Sequence, residues 1–456
     1  MGIHPDIFRA YDIRGIVDTR LDDATVYLIG RAFAAEARGQ GHDQVAVGGD
    51  GRHSTPRLRK ALTRGLIEGG CDITDVGCVP TPLLYYATHV LETGTGVMIT
   101  GSHNPAEYNG LKMMIGGRTL AEGAIQALRE RVERRDFSSG DGAWDTQDLV
   151  THYIDRVAGD MPLRRPLKVA IDCGNGVAGI VVPRLYERMG CEVVGLYTDV
   201  DGDFPNHHPD PAEPANLADL VDLVRGGGAD LGLAFDGDAD RLGVVTDAGT
   251  IVWPDRLMML FATDLLRRHP GARIVYDVKC TQRLKDVIAS HGGEPVMCRT
   301  GHSHIKAKLR ETGALLGGEF SGHLCFAEGW YGFDDALYAG ARLLDIASRA
   351  ESTVEGLFRE FPTTCVTPEI KVATSESAKF EIVDRLAAAA DFGDAAVTTI
   401  DGIRVDYPDG FGLVRASNTS PVLSLRFEAD TPAALARIRG RFQAELAAID
   451  TALRFD

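Results

Sequence analysis

No apolar run in this 456-residue chain is long enough to cross a bilayer, so no membrane partner is expected. The N-terminus lacks the basic-then-apolar order of a secretory signal, and the expected compartment is therefore the cytoplasm. Cysteine is sparse and scattered. The eight thiols (Cys71, Cys78, Cys173, Cys191, Cys280, Cys298, Cys325 and Cys365) contain no C-x-x-C pair, which argues against a disulfide framework or a zinc knuckle. They are expected to act as small buried hydrophobes. Basic charge is also short: Lys+Arg number 48 against 65 Asp+Glu, a formal net charge of −17. A nucleic-acid partner needs a basic surface, so none is expected. A small anion such as phosphate is still admissible, because a few local Arg, Lys and backbone N–H groups suffice to seat it.

What is present is the composition of a globular protein, 44% hydrophobic and 25% charged, in a chain too long for one ordinary core. Three times an apolar strand ends in Asp, followed by turn residues and an amphipathic helix: Val45–Asp50, Val169–Asp172 and Ile274–Asp277. This repeat predicts three related α/β units with mixed, largely parallel sheets, and ligands then belong at the strands' carboxyl ends. From about Cys365 the repeat is absent. The chain closes on an Ala-rich helical pattern, Pro432–Leu453, so a smaller α+β unit of different fold is expected there. The reading divides the chain at 1–148, 149–251, 252–362 and 363–456. Gly, Ser and Asp cluster at Ser138–Gly142 and Asp247–Gly249, and Phe361–Thr364 marks the third break.

Four stretches carry chemistry. In Gly96–Pro105 an apolar strand stops at a small-residue loop that holds Ser102 between Gly101 and His103, where a hydroxyl nucleophile could meet an acceptor; the bland reading is a strand-to-turn junction. In Asp236-Gly237-Asp238-Ala239-Asp240-Arg241 three carboxylates on alternate positions follow an apolar strand. Clustered anions repel unless a cation sits among them, and oxygen-only ligation suits a hard ion such as Mg²⁺. The rival readings are an aspartyl phosphoryl acceptor and a solvated acidic turn. Glu319-Phe320-Ser321 offers an acceptor and a hydroxyl side by side, as vicinal sugar hydroxyls need. Arg415-Ala416-Ser417-Asn418-Thr419-Ser420 places a guanidinium, hydroxyls and an amide in one loop without any acid, which suits a phosphate. Arg14 and Lys279 are further cations that could reach a phosphate, and His302 could shuttle protons or bind one; His302-x-His304 as a zinc pair lacks a third ligand in reach.

In this order and spacing, Thr100–Pro105, Asp236–Arg241, Glu319–His323 and Arg415–Ser420 resemble the four signature loops of the α-D-phosphohexomutase superfamily. The resemblance is nearest to its bifunctional bacterial phosphomannomutase/phosphoglucomutase branch. Phe8–Gly15, Tyr108–Lys112, Phe204–Pro211 and Gly329–Asp335 agree as well. The resemblance implies four domains in a heart shape around a central cleft, and a monomer. It implies an isomerase phosphorylated on Ser102, with Mg²⁺ held by Asp236, Asp238, Asp240 and the serine phosphate. The phosphoryl group would pass to a hexose 1- or 6-phosphate, giving a hexose 1,6-bisphosphate that turns round and returns its other phosphate. Arg14 and Arg241 would serve the transfer. Lys112, His302 or His323 would act as general acid and base, the assignment among them being open. Tyr11 and Lys279 would contact the ligand, Glu319 and Ser321 would read sugar hydroxyls, and Arg415, Ser417, Asn418 and Thr419 would hold the remaining phosphate. Phe320 favours mannose or glucose over glucosamine; the alternatives are a phosphoglucosamine mutase, a metal-dependent sugar-phosphate hydrolase and a non-catalytic binder. Two departures stand out. Ala239 replaces the family's usual Gly, which would strain the metal loop if that position needs φ > 0, and Ala327-Glu328-Gly329 lacks the basic side chains common there.

Overall fold

Short apolar runs bounded by Gly, Pro and Asp become strands in the computed structural model, which describes residues 3–375, 377–417 and 421–455. The first sheet contains β1 (Ile13–Ile16), β2 (Gln44–Gly49), β3 (Asp72–Cys78), β4 (Gly96–Ile99), β5 (Tyr108–Ile115), β6 (Arg118–Thr119) and β7 (Trp144–Thr146), in the order β1-β5-β4-β2-β3-β7 with β6 on β5. Its centre, β4-β2-β3-β7, is parallel, and β5 and β1 close one side antiparallel. Helices Asp23–Gly39, Thr55–Glu68 and Thr81–Val90 pack on it, which is why β2 and β4 read as continuous apolar runs rather than alternating ones.

The second unit repeats the plan with β8 (Lys168–Asp172), β9 (Glu192–Leu196), β10 (Leu231–Phe235), β11 (Leu242–Thr246) and β12 (Ile251–Val252), ordered β12-β11-β10-β8-β9. The third has β13 (Arg273–Asp277), β14 (Glu294–Cys298), β15 (Leu316–Gly318) and β16 (Leu324–Phe326), ordered β14-β13-β15-β16. In both, a parallel centre carries an antiparallel edge. The last sheet, β17 (Cys365–Val366), β18 (Ile370–Ala373), β19 (Ala396–Thr398), β20 (Ile403–Tyr407), β21 (Gly410–Ala416) and β22 (Val422–Ala429), is antiparallel throughout. Helices Ala378–Ala389 and Pro432–Ile449 pack on it.

The Asp that ends each repeated strand is buried and ties down a loop. Asp50 accepts from the Gly101 N–H at 3.0 Å, Asp172 from Gly174 at 2.9 Å, and Asp277 from Phe320 at 3.1 Å. The periodic motif is thus a loop anchor as well as a strand end. Near Ser138–Gly142, Gly140 bridges Gly69 and the chain runs on into β7, which pairs with β3. One expectation needs correction. Six cysteines are buried as expected, but Cys78 is exposed and Cys365 only partly covered, because each sits at the end or edge of its sheet. Among the described residues no helix is long and apolar enough to cross a membrane.

One apolar core runs through the first three units, joining Tyr85 and Tyr86 to Tyr153 and Ile171 and to Trp330 and Tyr338, while the fourth unit has its own. At the junction sits the buried Asp335. It caps helix Ala336–Arg349 through the Tyr338 N–H (2.9 Å) and accepts from Tyr153 Oη (2.8 Å) and Trp330 Nε1 (3.0 Å). Burial outweighs these donors and pushes its carboxyl up to about 7. A raised carboxyl binds its proton more tightly in the folded state, so this contribution to stability is complete below about pH 4 and is lost as pH rises through 7. At about 1.4 kcal/mol per pKa unit the loss amounts to roughly 4 kcal/mol. Asp335→Asn removes the titration. In calorimetry between about pH 5 and pH 8 the Tm difference between the two proteins is expected to move in the variant's favour as pH rises, and a pH-independent difference would locate no titration at Asp335.

Candidate active site

The four loops identified from sequence leave the carboxyl ends of β4, β10, β15 and β21 and meet around one cleft of about 890 Å³. Tyr11, Arg14, Ser102, Lys112, Arg241, Lys279, His302, Glu319, Ser321, His323, Arg415 and Ser417 all line it. Asp236, Asp238 and Asp240 lie just behind its wall with no exposed surface. Asn418 and Thr419 fall outside the described residues.

Ser102 sits in the left-handed region at φ 49°, where a residue with a Cβ is disfavoured by roughly 1–2 kcal/mol. The surroundings hold it there. Its N–H donates to Thr100 Oγ1 (2.8 Å) and its carbonyl accepts from Arg52 Nη2 (2.7 Å). The buried Arg52 fork also binds the carbonyls of Asn104 (2.6 Å), Pro105 (2.6 Å) and Tyr108 (3.0 Å), and is itself paired with Asp50. One guanidinium therefore ties the serine loop together. Glycine is required at two neighbours: a Cβ on Gly101 would lie 2.4 Å from Arg52 Nε, and one on Gly237 would lie 2.4 Å from the Ser102 carbonyl oxygen. The metal loop can press on the serine loop only because residue 237 has no side chain. The Ser102 hydroxyl then donates to Asp236 Oδ2 at 3.0 Å, with His103 Nδ1 at 3.1 Å.

The three aspartates offer carboxylate oxygens within 4.8 Å of one another. Asp236 also accepts the N–H groups of Asp240 and Arg241, each at 3.1 Å. Burial, and then the charges of Asp240 and Asp238, push its carboxyl well above the usual range. Asp240 goes the other way: against burial, the Lys112 ammonium and His323 hold it well below. Lys112 Nζ lies 2.6 Å from Asp238 Oδ2 and also bonds Asp240 Oδ2, and its own ammonium is stabilised against burial by the aspartates. Among the described residues Asp238 Oδ1 accepts no hydrogen bond, and Asp240 Oδ1 faces only the His323 ring, at 3.3 Å. Buried carboxylate oxygens short of donors, mutually repelling and all of one hard type, fit a divalent cation. Ala239 is buried at φ 61°, so the left-handed strain anticipated for this loop is present.

His302 and His323 stack at 5.3 Å between ring centroids, in opposite surroundings. His323 lies between Glu319 (2.8 Å from Nδ1) and Asp240 (3.3 Å from Nε2). Burial opposes its charge, yet Asp240 and Glu319 raise it to about 9; Glu319, although buried, falls to about 2 beside it. His302 Nδ1 lies 3.0 Å from Asp334 Oδ2, and Lys306 Nζ lies 2.7 Å from Asp334 Oδ1. Burial and the Lys306 ammonium keep His302 below its ordinary value against the pull of Asp334. His304 faces Glu122 at 3.4 Å, so the two histidines share no ligand set.

The remaining candidates are held by neighbours from other loops. Tyr11 Oη donates to the Thr300 carbonyl (2.9 Å), and Gly301 N–H donates to Glu319. Ser321 Oγ lies 3.0 Å from His323 Nδ1, and Arg241 Nε lies 3.3 Å from His323 Nε2. Arg14 pairs with Asp12 and donates to Asn104, Lys279 Nζ lies 4.0 Å from Glu369, and Arg415 is held by Asp401 at 3.1 Å. Phe320 lies between Trp253 and the Arg426 guanidinium, which sits 3.5 Å from its ring centroid. Glu328 is occupied outside the cleft by Arg342 (2.6 Å) and Arg268. Sequence reasoning missed Arg52, Lys306, Asp334, Asp401 and Arg426. Only Lys306 left a readable signal, four residues from His302 on one helix face.

Comparison with known proteins bears on all four units. Residues 5–139, 151–249 and 253–365 match phosphoglucomutase/phosphomannomutase alpha/beta/alpha domains I, II and III, and residues 369–445 match the C-terminal domain. The chain is 55% identical over 447 residues to a phosphomannomutase/phosphoglucomutase of Pseudomonas aeruginosa, covering 98% of this chain and 96% of that one. It is 53% identical over 443 residues to a phosphoglucomutase of Neisseria meningitidis, covering 96% of each. A crystal structure of a phosphoglucomutase/phosphomannomutase family protein from Burkholderia thailandensis superposes with a TM-score of 0.95 at 49% identity, over 99% of both chains. With every unit matched in order and relatives above half identity along nearly the whole length, the chain belongs to the phosphoglucomutase/phosphomannomutase family of hexose-phosphate mutases.

Proposed function

We propose that the chain interconverts hexose 1-phosphate and hexose 6-phosphate, of mannose, glucose or both, through phosphoserine 102 and a hexose 1,6-bisphosphate. The observation that carries this reading is spatial: Ser102, with the carboxylates buried behind it, lies in one wall of a cleft that is lined on another side by Arg415 of a different unit. A nucleophile and a phosphate seat so separated suit a substrate with a phosphate at either end. A monomer is its proposed state and the cytoplasm its proposed setting.

In the forward transfer a sugar hydroxyl oxygen forms the new O–P bond while the P–Oγ bond to Ser102 breaks. The hydroxyl proton goes to a base of the site, and the departing Oγ takes a proton from an acid for which Lys112 and His323 are placed. Arg14 and Arg241 neutralise phosphoryl oxygens, and Lys112, tied to two carboxylates, serves better as a cation than as a base. Glu319 and Ser321 orient the sugar ring through its hydroxyls, with Tyr11 and Lys279 beside it. Asp236, Asp238, Asp240 and the phosphoserine would hold Mg²⁺, whose charge stabilises the transferring group. Asp236 as the phosphoryl acceptor is disfavoured, since its oxygens are already engaged by two backbone N–H groups and Ser102, and it does not line the cleft. The test is a coupled assay with mannose, glucose and glucosamine 1-phosphates in parallel. Release of free phosphate without isomerisation would identify a hydrolase instead.

If the intermediate turns round, the phosphate not in transfer occupies the Arg415 seat in both directions, together with Ser417, Asn418 and Thr419. A charge-assisted hydrogen bond contributes about 1.5–3 kcal/mol, so Arg415→Ala is expected to lower kcat/KM by roughly 10–150-fold for the 1-phosphate and the 6-phosphate of one sugar alike. A loss confined to one direction would require two phosphate sites.

A further inference from the structure

Asp401 lies outside the four loops, in the bend that leads into β20. Ile403 of that strand pairs with Val414 of β21, and the bend turns at Gly402, which has φ 79°. A Cβ there would lie 2.3 Å from the Val414 carbonyl oxygen and 2.6 Å from Arg415 Cβ, so glycine is what lets the bend press on the Arg415 strand. Asp401 thereby meets the Arg415 guanidinium, each with a tenth or less of its side chain exposed. Its Oδ2 accepts from Arg415 Nε at 3.1 Å and its Oδ1 from Nη2 at 3.4 Å, while Arg415 lines the cleft. One edge of the guanidinium is thus already taken.

The same carboxylate reaches a second unit, because Oδ2 also accepts the Thr300 N–H at 3.0 Å. Thr300 is a junction. Its carbonyl accepts from Tyr11 Oη of the first unit at 2.9 Å, its hydroxyl donates to Asp277 at 2.9 Å, and the other oxygen of Asp277 accepts the Phe320 N–H at 3.1 Å. The next N–H along, that of Gly301, donates to Glu319. A hydrogen-bonded path therefore runs from Arg415 through Asp401 to both Glu319 and Phe320 of the sugar-reading loop.

We propose that Asp401 is a positioning residue: it orients the Arg415 guanidinium for phosphate and, through the Thr300 N–H, fixes that seat relative to the sugar-reading loop. This rests on the mutase reading above and adds to it a side chain that touches no substrate. A long flexible side chain loses rotamer freedom when it binds, and a carboxylate that holds one edge of the guanidinium removes that freedom before the ligand arrives. Arg415 is then presented ready. The seat and the sugar-reading loop belong to different units, so neither sheet alone sets the distance between them. A sugar phosphate carries its phosphate and its hydroxyls at a fixed separation, and both must be met at once.

The test places Asp401→Asn, Asp401→Ala and Arg415→Ala in a Ser102→Ala background and titrates each with glucose 1-phosphate and glucose 6-phosphate by calorimetry. Asn keeps an oxygen for Thr300 and Arg415 Nε but turns an amide N–H toward Nη2. Asp401→Asn is expected to weaken both ligands about 10-fold, the lower end of the loss expected for Arg415→Ala. Added to Arg415→Ala it is expected to cost no more than about threefold; multiplicative losses overturn the proposal. Asp401→Ala also gives up the Thr300 N–H and is expected to bind about threefold or more weaker than Asp401→Asn, and equal losses overturn the link to the third unit. Turnover with Ser102 in place gives a second readout. Asp401→Asn is expected to raise KM about 10-fold in both directions with kcat changed less than about threefold, because the seated phosphate is held alike before and during transfer. A fall in kcat at unchanged KM overturns the proposal. In wild-type protein labelled with ¹⁵N-arginine, the Arg415 Nε–H, identified by its loss in Arg415→Lys, is expected to exchange slowly with solvent; fast exchange overturns the proposal even if the Asp401 variants fail to fold. If the wild type does not isomerise sugar phosphates, the mutase reading fails while the calorimetry still decides the role of Asp401.

Discussion

Ser102→Ala is expected to lower isomerisation by about four orders of magnitude or more and to leave the protein folded. Both proposed transfers pass through the one Oγ atom, so no route bypasses its loss. The fold is insulated from the change. Alanine meets the same left-handed backbone as serine, and Arg52 and Thr100 bind the backbone of residue 102 rather than its hydroxyl. The two side-chain hydrogen bonds removed, to Asp236 and with His103, contribute about 0.5–1.5 kcal/mol each. Peptide mass spectrometry of the purified wild type is expected to find phosphate on Ser102. Phosphate on another residue, or an active alanine variant, would move the nucleophile elsewhere.

Asp238→Asn is expected to weaken Mg²⁺ binding and turnover by about 100-fold or more while changing thermal stability little. Asp238 brings to the triplet an oxygen that accepts no hydrogen bond, and an amide replaces it without the charge. Its second oxygen accepts from Lys112 Nζ (2.6 Å) and Thr81 Oγ1 (2.5 Å), and an Asn carbonyl can still accept both. Removing one of three crowded anions also relieves Asp236, whose carboxyl the charge of Asp238 helps to raise. Titration calorimetry with Mg²⁺ and a coupled assay separate the two effects. Undiminished turnover of the wild type in excess chelator would dismiss the metal from the mechanism.

The parts of the fold legible in the sequence were those written in local pattern. A strand that is apolar along its whole length and ends in Asp can be read without neighbours, and β2, β8 and β13 each lie where that pattern put them. The same holds for the candidate loops: Ser102, Asp236–Asp240 and Glu319 follow strands, and Arg415 lies in the last two residues of β21, the strand ends where such sheets place ligands. What could not be read is what depends on contact between distant segments. Arg52 binds carbonyls at 102, 104, 105 and 108, and carbonyls leave no mark in a sequence. Asp334 meets His302 across 32 positions, and Arg426 reaches Asp255 and the Lys279 carbonyl from another unit.

The ammonium of Lys112 inside the carboxylate triplet bears on ion valence. Three carboxylates and the lysine that touches two of them sum to a formal charge of −2 when all are ionised. Counting these four side chains alone, with Ser102 unphosphorylated, a divalent ion would bring the group to neutrality, whereas a monovalent ion would leave a buried negative charge and a trivalent ion a positive one, each unfavourable where water is excluded. Lys112 thereby acts as a fixed fraction of the counter-charge. It makes valence, alongside size and ligand hardness, a criterion by which the pocket can choose among cations.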